Sequence, residues 1–279
     1  MARAGGTPVV AVVLIGLLWG FNWPAVKFML TEVPPLTIRA VSFPLATAIL
    51  ALLAKARGER LMPQRDEYLP ILVTGLFVIF GFNVLTTIGQ MLTETSKAVV
   101  IAYTMPGMTA VLAALILRER LAGQQIAAVL LAMTGLAVLA SEDIAGLMAA
   151  PLGPLIMLGA AFSWAFGNVC LKSRQWSPAP LGLTVWFFFV SSILCAALVV
   201  VLEPPWEQSL PSQGVALAWA YHIVGPMVTC YALWTMIVGR LPASVAAITA
   251  LLAPVVGLSS AIVLLGDAVT WQKVTALVC

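Results

Sequence analysis

Apolar residues fill this chain in long blocks, with few polar positions inside them. Blocks at 9–30, 36–54, 68–91, 96–117, 124–141, 151–172, 180–202, 214–238 and 243–265 each have the length and composition of a membrane-crossing helix, which takes about 20 residues. A tenth block starts at 270 and has about nine residues before Cys279, too few to cross, so the expectation is a last helix cut short in the chain as given. The connections are short. The pattern therefore predicts an all-α polytopic membrane protein of ten helices, the tenth truncated, with no extramembrane domain. The first block, Val9 to about Trp23, exceeds a signal-peptide core of roughly 7–15 residues and lacks an evident A-x-A site, so it reads as a retained first span.

The fourth block carries Pro106 near its middle. A proline there removes a helix hydrogen bond and frees a carbonyl, which predicts a kink. Such a break is tolerable where a helix lines a protein-enclosed cavity and not where it meets lipid. The same pattern returns 148 residues later (96 to 244). Ser96, Ala98, Ala102, Pro106, Ala113, Leu117 and Gln124 fall on Ser244, Ala246, Ala250, Pro254, Ala261, Leu265 and Gln272, and an acid follows each span, Glu119 and Asp267. The first blocks of the two halves agree at an offset of 145 (19 to 164): Trp19-Gly20-Phe21-Asn22 with Lys27 against Trp164-Ala165-Phe166-Gly167 with Lys172. Five spans per half is an odd number, so the second copy enters from the opposite side. The expectation is two inverted five-helix repeats, residues 1–141 and 151–279, with Pro106 and Pro254 as paired hinges around a central site.

Composition agrees: 62% of residues are hydrophobic and 9% charged, with a mean hydropathy of +1.05, against about 25% charged in a soluble domain. The net charge of +3 says nothing about nucleic acid, which is not an expected partner; where the charges fall does matter. With the N-terminus inside, Arg3, Lys55, Arg57, Arg60, Arg65, Arg118, Arg120, Lys172, Arg174 and Arg240 lie on inner connections. The outer ones carry Glu32, Glu94, Glu142, Asp143, Glu203, Glu207 and Asp267, with Lys97 and Lys273. The positive-inside rule then places the N-terminus in the cytoplasm. Lys27 and Arg39, inside spans near the outer face, are expected to snorkel or pair with Glu32, a substrate role being the alternative. The four cysteines, in or near apolar spans with no CxxC spacing, read as small core hydrophobes.

Candidate functional positions are the polar and aromatic residues at helical spacing inside the spans. Trp19, Asn22 and Trp23 share one face, as do Trp164 and Asn168. An unpaired amide in hydrocarbon is costly, so these faces point inward, either as interhelical glue or as cavity wall. Asn83, Thr87 and Gln90 form a polar stripe at i, i+4, i+7, and Tyr231, Thr235 and Val238 hold the equivalent places in the second copy. Tyr103, one turn before Pro106, and Trp186 in the seventh span complete the expected cavity set. Trp206 and Trp271 read as interfacial anchors, and the single histidine, His222, as a hydrogen-bonded structural residue at a helix end. No Asp or Glu sits at mid-membrane depth, which disfavours obligatory proton antiport through a buried acid. No P-loop, H-E-x-x-H or G-x-S-x-G motif is present, so the chain reads as neither an ATP-driven pump nor an enzyme, with no cofactor or metal expected.

Leu18-Trp19-Gly20-Phe21-Asn22 followed by Lys27, Arg39 in the second span, and a proline-centred fourth span ending in Leu117-Arg118-Glu119-Arg120-Leu121 resemble the EamA-type drug/metabolite transporter superfamily, over essentially the whole chain in two copies. Within it the chain is most similar to YddG-like exporters of aromatic and other neutral amino acids. The resemblance implies inverted five-helix repeats and a central cavity framed by helices 1, 3, 4, 6, 8 and 9. It also implies alternating-access export across a bacterial inner membrane. Gly167 in place of a second Asn22, and Asp267-Ala268 in place of Glu-Arg, depart from the family pattern. The expected substrate is a small neutral metabolite, above all an aromatic or other neutral amino acid. Trp and Tyr faces suit its side chain and can hold an ammonium, while Asn and Gln amides suit its polar head. The alternatives are a broad drug or toxicant exporter, and a non-transporting membrane receptor or assembly subunit. Monomer and dimer are equally compatible with the sequence.

Overall fold

The structure, a computed structural model, describes residues 6–119, 123–237 and 243–279. Arg3, Arg120, Leu121, Val238 and Arg240 lie outside the described residues, as do the side chains of Thr235, Ser244, Ala246 and Ala250. All regular structure among the described residues is helical. In chain order the main helices are α1 (Gly6–Met29), α2 (Pro35–Ala56), α3 (Arg65–Leu92), α4 (Thr95–Ile116), α5 (Gly123–Ala140), α6 (Leu152–Lys172), α7 (Pro180–Leu202), α8 (Gln213–Trp234), α9 (Ala243–Leu265) and α10 (Trp271–Val278). Seven of them, α1 to α4 and α6 to α8, are long and apolar enough among the described residues to cross a membrane. In α5 and α9 the qualifying apolar stretches are shorter, Val129–Ala140 and Leu252–Leu265, and α10 has 8 residues.

Two spans depart from regular α-helix at equivalent places. Leu76–Gly81 in α3 and Ile223–Cys230 in α8 are wound as π-helix, and the 148-residue offset carries 76–81 onto 224–229, inside the second segment. A π-turn widens the helix and leaves backbone groups needing partners. The Ser163 hydroxyl on α6 donates to the Phe77 carbonyl at 2.7 Å, and the Thr229 hydroxyl to the Val224 carbonyl at 2.7 Å. The fourth span is interrupted, as Pro106 predicts. One helix ends at Ala102, residues 103–104 turn, and a second starts at Met105 with Pro106 in its first turn, where the missing N–H costs nothing. Its counterpart α9 runs unbroken, with Pro254 inside it.

Charges segregate to the two ends. At one, the basic end, Arg174 pairs with Asp66 at 2.8 Å and Lys172 with Glu119 at 2.8 Å. At the other, the acidic end, carboxylates cap helix N-termini, where free N–H groups and the macrodipole favour negative charge. Glu203 accepts from Leu36 N (3.0 Å), Thr37 N (2.7 Å) and the Thr37 hydroxyl (2.9 Å) at the start of α2. Asp267 accepts from Ser96 N at 2.7 Å at the start of α4. Glu32 accepts from the amide and hydroxyl of Ser212, the N-cap of α8, at 2.6 and 2.7 Å, bonds that hold its carboxyl below the ordinary carboxylate range. Lys273, fully buried, joins Glu94 at 2.7 Å and Glu142 at 3.8 Å.

The two halves meet along α1 and α9. Without a hydrophobic driving force in lipid, helices associate through close packing of small residues. Gly16 and Gly20, four apart on α1, press on α9: a Cβ at Gly20 would stand 2.5 Å from the Val256 side chain, and one at Gly16 would stand 2.6 Å from Leu252. Gly20→Ala is therefore expected to cost about 1–3 kcal/mol of stability by overpacking. Gly123→Ala, with open space around it, is expected to cost nothing. Thermal unfolding of the two variants in detergent checks this; equal midpoints would mean the helix pair adjusts freely.

Candidate functional site

A cavity of about 560 Å³ lies between α1, α3, α4, α6 and α8, with Arg39 of α2 and Ala253 of α9 also in its wall, within the range of about 300–1,000 Å³ usual for small-molecule sites. Helical spacing brings its walls together. Trp19, Asn22, Trp23 and Val26 come from one face of α1; Trp164, Asn168 and Lys172, at i, i+4 and i+8, come from one face of α6. From α3 come Phe82, Asn83, Thr86 and Gln90, and from α8 Met227, Tyr231 and Trp234. The broken span α4 contributes Tyr103, Met105 and Pro106, so the interruption opens onto the cavity.

Aromatic rings form the middle of the wall. Trp19 stands edge-on to Trp164 (centroids 6.3 Å apart) and to Tyr231 (5.7 Å), with Trp234 at 5.9 Å and Phe82 against Trp164 at 4.8 Å. Positions equivalent in the two halves thus touch: Trp19 meets Trp164, and the Asn83 amide donates to the Tyr231 hydroxyl at 3.3 Å. Gly167 occupies the place matching Asn22, and a Cβ there would stand 2.6 Å from the backbone nitrogen of Val78, so no side chain fits.

Beside the aromatic wall lies a buried polar chain. Arg39, 1% exposed, lines the cavity. Its Nε donates to Asn83 O (3.1 Å) and Thr87 Oγ1 (2.8 Å), its Nη2 to Thr87 Oγ1 (2.6 Å), and its Nη1 to His222 Nε2 (2.7 Å). His222 Nδ1 bonds Asn22 Oδ1 at 2.6 Å. An amide oxygen on Nδ1 and an arginine donor on Nε2 assign a neutral Nδ1–H imidazole. Lys27 donates to the carbonyls of Gln90 and Thr93, with Asp267 and Glu94 close enough to act on it electrostatically. The expected pairing of Lys27 and Arg39 with Glu32 is therefore not found; Glu32 is engaged by Ser212 on the surface. Likewise His222 is a fully buried link between Asn22 and Arg39 and not merely a helix-end residue.

Of the residues expected at the site, Trp19, Asn22, Asn83, Tyr103, Trp164, Asn168, Tyr231 and Pro106 line the cavity. Thr87 and Trp186 do not. Thr87 is fully buried behind the wall, holding Arg39; Trp186 sits at the basic end, where its indole N–H donates to Leu61 O at 2.7 Å and its ring meets Tyr68. Pro254 is buried in α9 beside Ala253, which lines the cavity, without lining it itself, and Trp206 and Trp271 are 72% and 66% exposed. Arg39, Thr86, Met105, Met227 and Trp234 were not expected there. The i+3 spacing of Thr86 from Asn83, and of Trp234 from Tyr231, was the available signal.

The two ends of the cavity differ. Its lining reaches Lys172 and Glu119, both well exposed, at the basic end. At the acidic end it stops below Lys27 and the Asp267 cap on α4. Both acids are set by the same device. Gly266, at φ +73°, ends α9 in the left-handed conformation and delivers Asp267; Arg118, at φ +56° and 148 residues earlier, ends α4 the same way and delivers Glu119.

This is a polytopic helical membrane protein with an aromatic and amide-lined central cavity. A sequence model of the EamA-like transporter family matches residues 6–141 and again residues 151–279, and the chain belongs to that family. It is a transporter and not an enzyme. A Salmonella typhimurium protein called "Probable amino-acid metabolite efflux pump" is 31% identical over 286 residues, covering 100% of this chain and 92% of that one. An Escherichia coli protein of the same description is 31% identical over 283 residues, covering 97% and 90%. A solved crystal structure of a protein superposes with a TM-score of 0.69 at 20% identity over 98% of this chain and 93% of that one, a likeness of fold.

Loss of the Arg39 support is measurable as stability. Thr87→Val keeps shape and leaves the Nη2 donor without an acceptor, Nε keeping the Asn83 carbonyl, so it is expected to cost about 1–3 kcal/mol. Thr134→Val, on an exposed face of α5, is expected to cost little. Thermal unfolding in detergent compares them, and equal losses would remove Thr87 from the network.

Proposed function

We propose that the chain exports small neutral metabolites, above all aromatic and other neutral amino acids, from the cytoplasm by alternating access through this cavity. The observation that carries the reading is the cavity itself: aromatic rings and amides at its centre, open at the basic end and closed at the acidic one. The positive-inside rule makes the basic end cytoplasmic, and the N-terminus with it. Trp19, Asn22, Asn83, Tyr103, Trp164, Asn168 and Tyr231 are the proposed substrate contacts. Thr87 supports them through Arg39, and Trp186 is no longer among them.

The two family matches, the paired π-segments and the contacts between equivalent residues support two inverted five-helix copies, ten helices in all, bounded at 1–141 and 151–279. The same symmetry supplies a gate. At the acidic end Asp267 caps the start of α4 beside Lys27; at the basic end their counterparts Glu119 and Lys172 pair with each other at 2.8 Å. In the opposite state Glu119 takes the place at α9 that Asp267 now holds at α4. Pro106 and Pro254 are the hinges about which the outer halves of α4 and α9 swing.

Counterflow in proteoliposomes tests the function. With unlabelled amino acid preloaded, labelled phenylalanine or threonine is expected to overshoot without a proton gradient. Pro254→Ala is expected to slow that exchange with little loss of binding. Overshoot with a lipophilic cation alone would move the assignment to a drug exporter.

The gate is tested by access. Asp267→Asn weakens the cap on α4 and is expected to raise labelling, from the acidic side, of a cysteine placed at Gln90 in a cysteine-free background. Glu119→Gln is expected to leave that labelling unchanged or lower it. The same response to both substitutions would rule out a gate of this form.

A further inference from the structure

Arg39 carries a buried positive charge with no carboxylate in contact. All eleven acids of the chain lie within the described residues, and none forms an ion pair with it. Its partner His222 is neutral, and Thr87 and the Asn83 carbonyl contribute only dipoles. A guanidinium has five N–H donors; Nε, one on Nη1 and one on Nη2 are engaged, which leaves two. A buried cation of this kind needs an anion, and the cavity it borders is where an anion can enter.

A second group has the opposite need. Gln90 is 2% exposed and lines the same cavity, and its Oε1 is buried with no hydrogen-bond partner. Gln90 follows Thr87, which holds the guanidinium, by three residues on α3, a rise of about 4.5 Å. A donor-rich cation and a residue with a vacant acceptor thus line one cavity, about one helical turn apart.

We propose that Arg39 and Gln90 form a head-group site for an α-amino acid zwitterion, the free N–H groups of Arg39 taking the carboxylate and Gln90 Oε1 taking the ammonium. The inference rests on the amino-acid reading of the cavity and sharpens it. Recognition is of the head, with the side chain left to the Trp19, Trp164 and Tyr231 rings. That arrangement accepts a range of side chains while rejecting amines and acids that carry half the head. His222 is a positioning residue, since it acts through the guanidinium, and Asn22, besides lining the cavity, holds the imidazole in place.

The test is a ligand series on the whole protein in lipid nanodiscs, with binding read by calorimetry: L-phenylalanine, phenethylamine, which lacks the carboxylate, and 3-phenylpropionate, which lacks the ammonium. Wild type is expected to bind phenylalanine at least about tenfold tighter than either half-ligand, the worth of one charge-assisted bond. Arg39→Gln is expected to bring phenylalanine and phenethylamine within about twofold of each other. Gln90→Leu is expected to do the same for phenylalanine and 3-phenylpropionate. Should Arg39→Gln fail to fold, the wild-type series and Gln90→Leu still decide. Equal binding of all three ligands, in a protein that shows amino-acid counterflow, would overturn the head-group site and leave the transport reading standing. Absence of both phenylalanine binding and amino-acid counterflow would overturn both. Phenylalanine binding that Arg39→Gln leaves unchanged, with a chloride dependence that it abolishes, would reassign the guanidinium to an inorganic anion and overturn the proposal.

Discussion

Inside a bilayer every backbone and side-chain polar group must find its partner within the protein, because water is not there to supply one. Each irregularity of this chain answers to that demand. The π-segments of α3 and α8 borrow hydroxyls from Ser163 and Thr229. The helix starts at the acidic end borrow carboxylates from Glu203 and Asp267, supplied by connections distant in sequence. The break before Pro106 opens onto the cavity and so avoids the hydrocarbon. Arg39 and Gln90, where part of that demand is left unmet, line the cavity, the place where cargo could supply the missing partner.

Sequence periodicity read much of this directly. Trp19, Asn22, Trp164 and Asn168 share faces by arithmetic alone, and helical spacing survives folding, so their convergence was legible. The interruption at Pro106 was legible because proline chemistry is local. What was not legible depends on partners far away in the chain. Arg39 meets His222 183 residues later, and nothing near either one announces the other. A surface pairing with Glu32 looked reasonable because burying an unpaired arginine is expensive. The fold offsets part of that cost with a threonine, a carbonyl and an imidazole. The stripe at i, i+4, i+7 points to Thr87, whereas Thr86, at i+3 from Asn83, is the threonine on the wall. Trp186 was misplaced because its run of aromatics gives no direction; a carbonyl of the connection after α2 decided it.

The likeness between the halves is closest where they touch and loosest where they face opposite ends. Rings pair across the centre, and π-segments match. The fourth helix is broken in one copy and continuous in the other. The two ends differ as well: the cavity lining stops below Lys27 at one and reaches Lys172 at the other.

The left-handed residue that ends α4 gives that asymmetry an energetic direction. Gly266 adopts the conformation without steric penalty, whereas Arg118 in the matching place carries about 1–2 kcal/mol of backbone strain. One rim of the molecule is thus relaxed and the other is sprung. The two turns that deliver matching acids to opposite ends thus carry unequal conformational cost, set by the presence of a side chain at one of them.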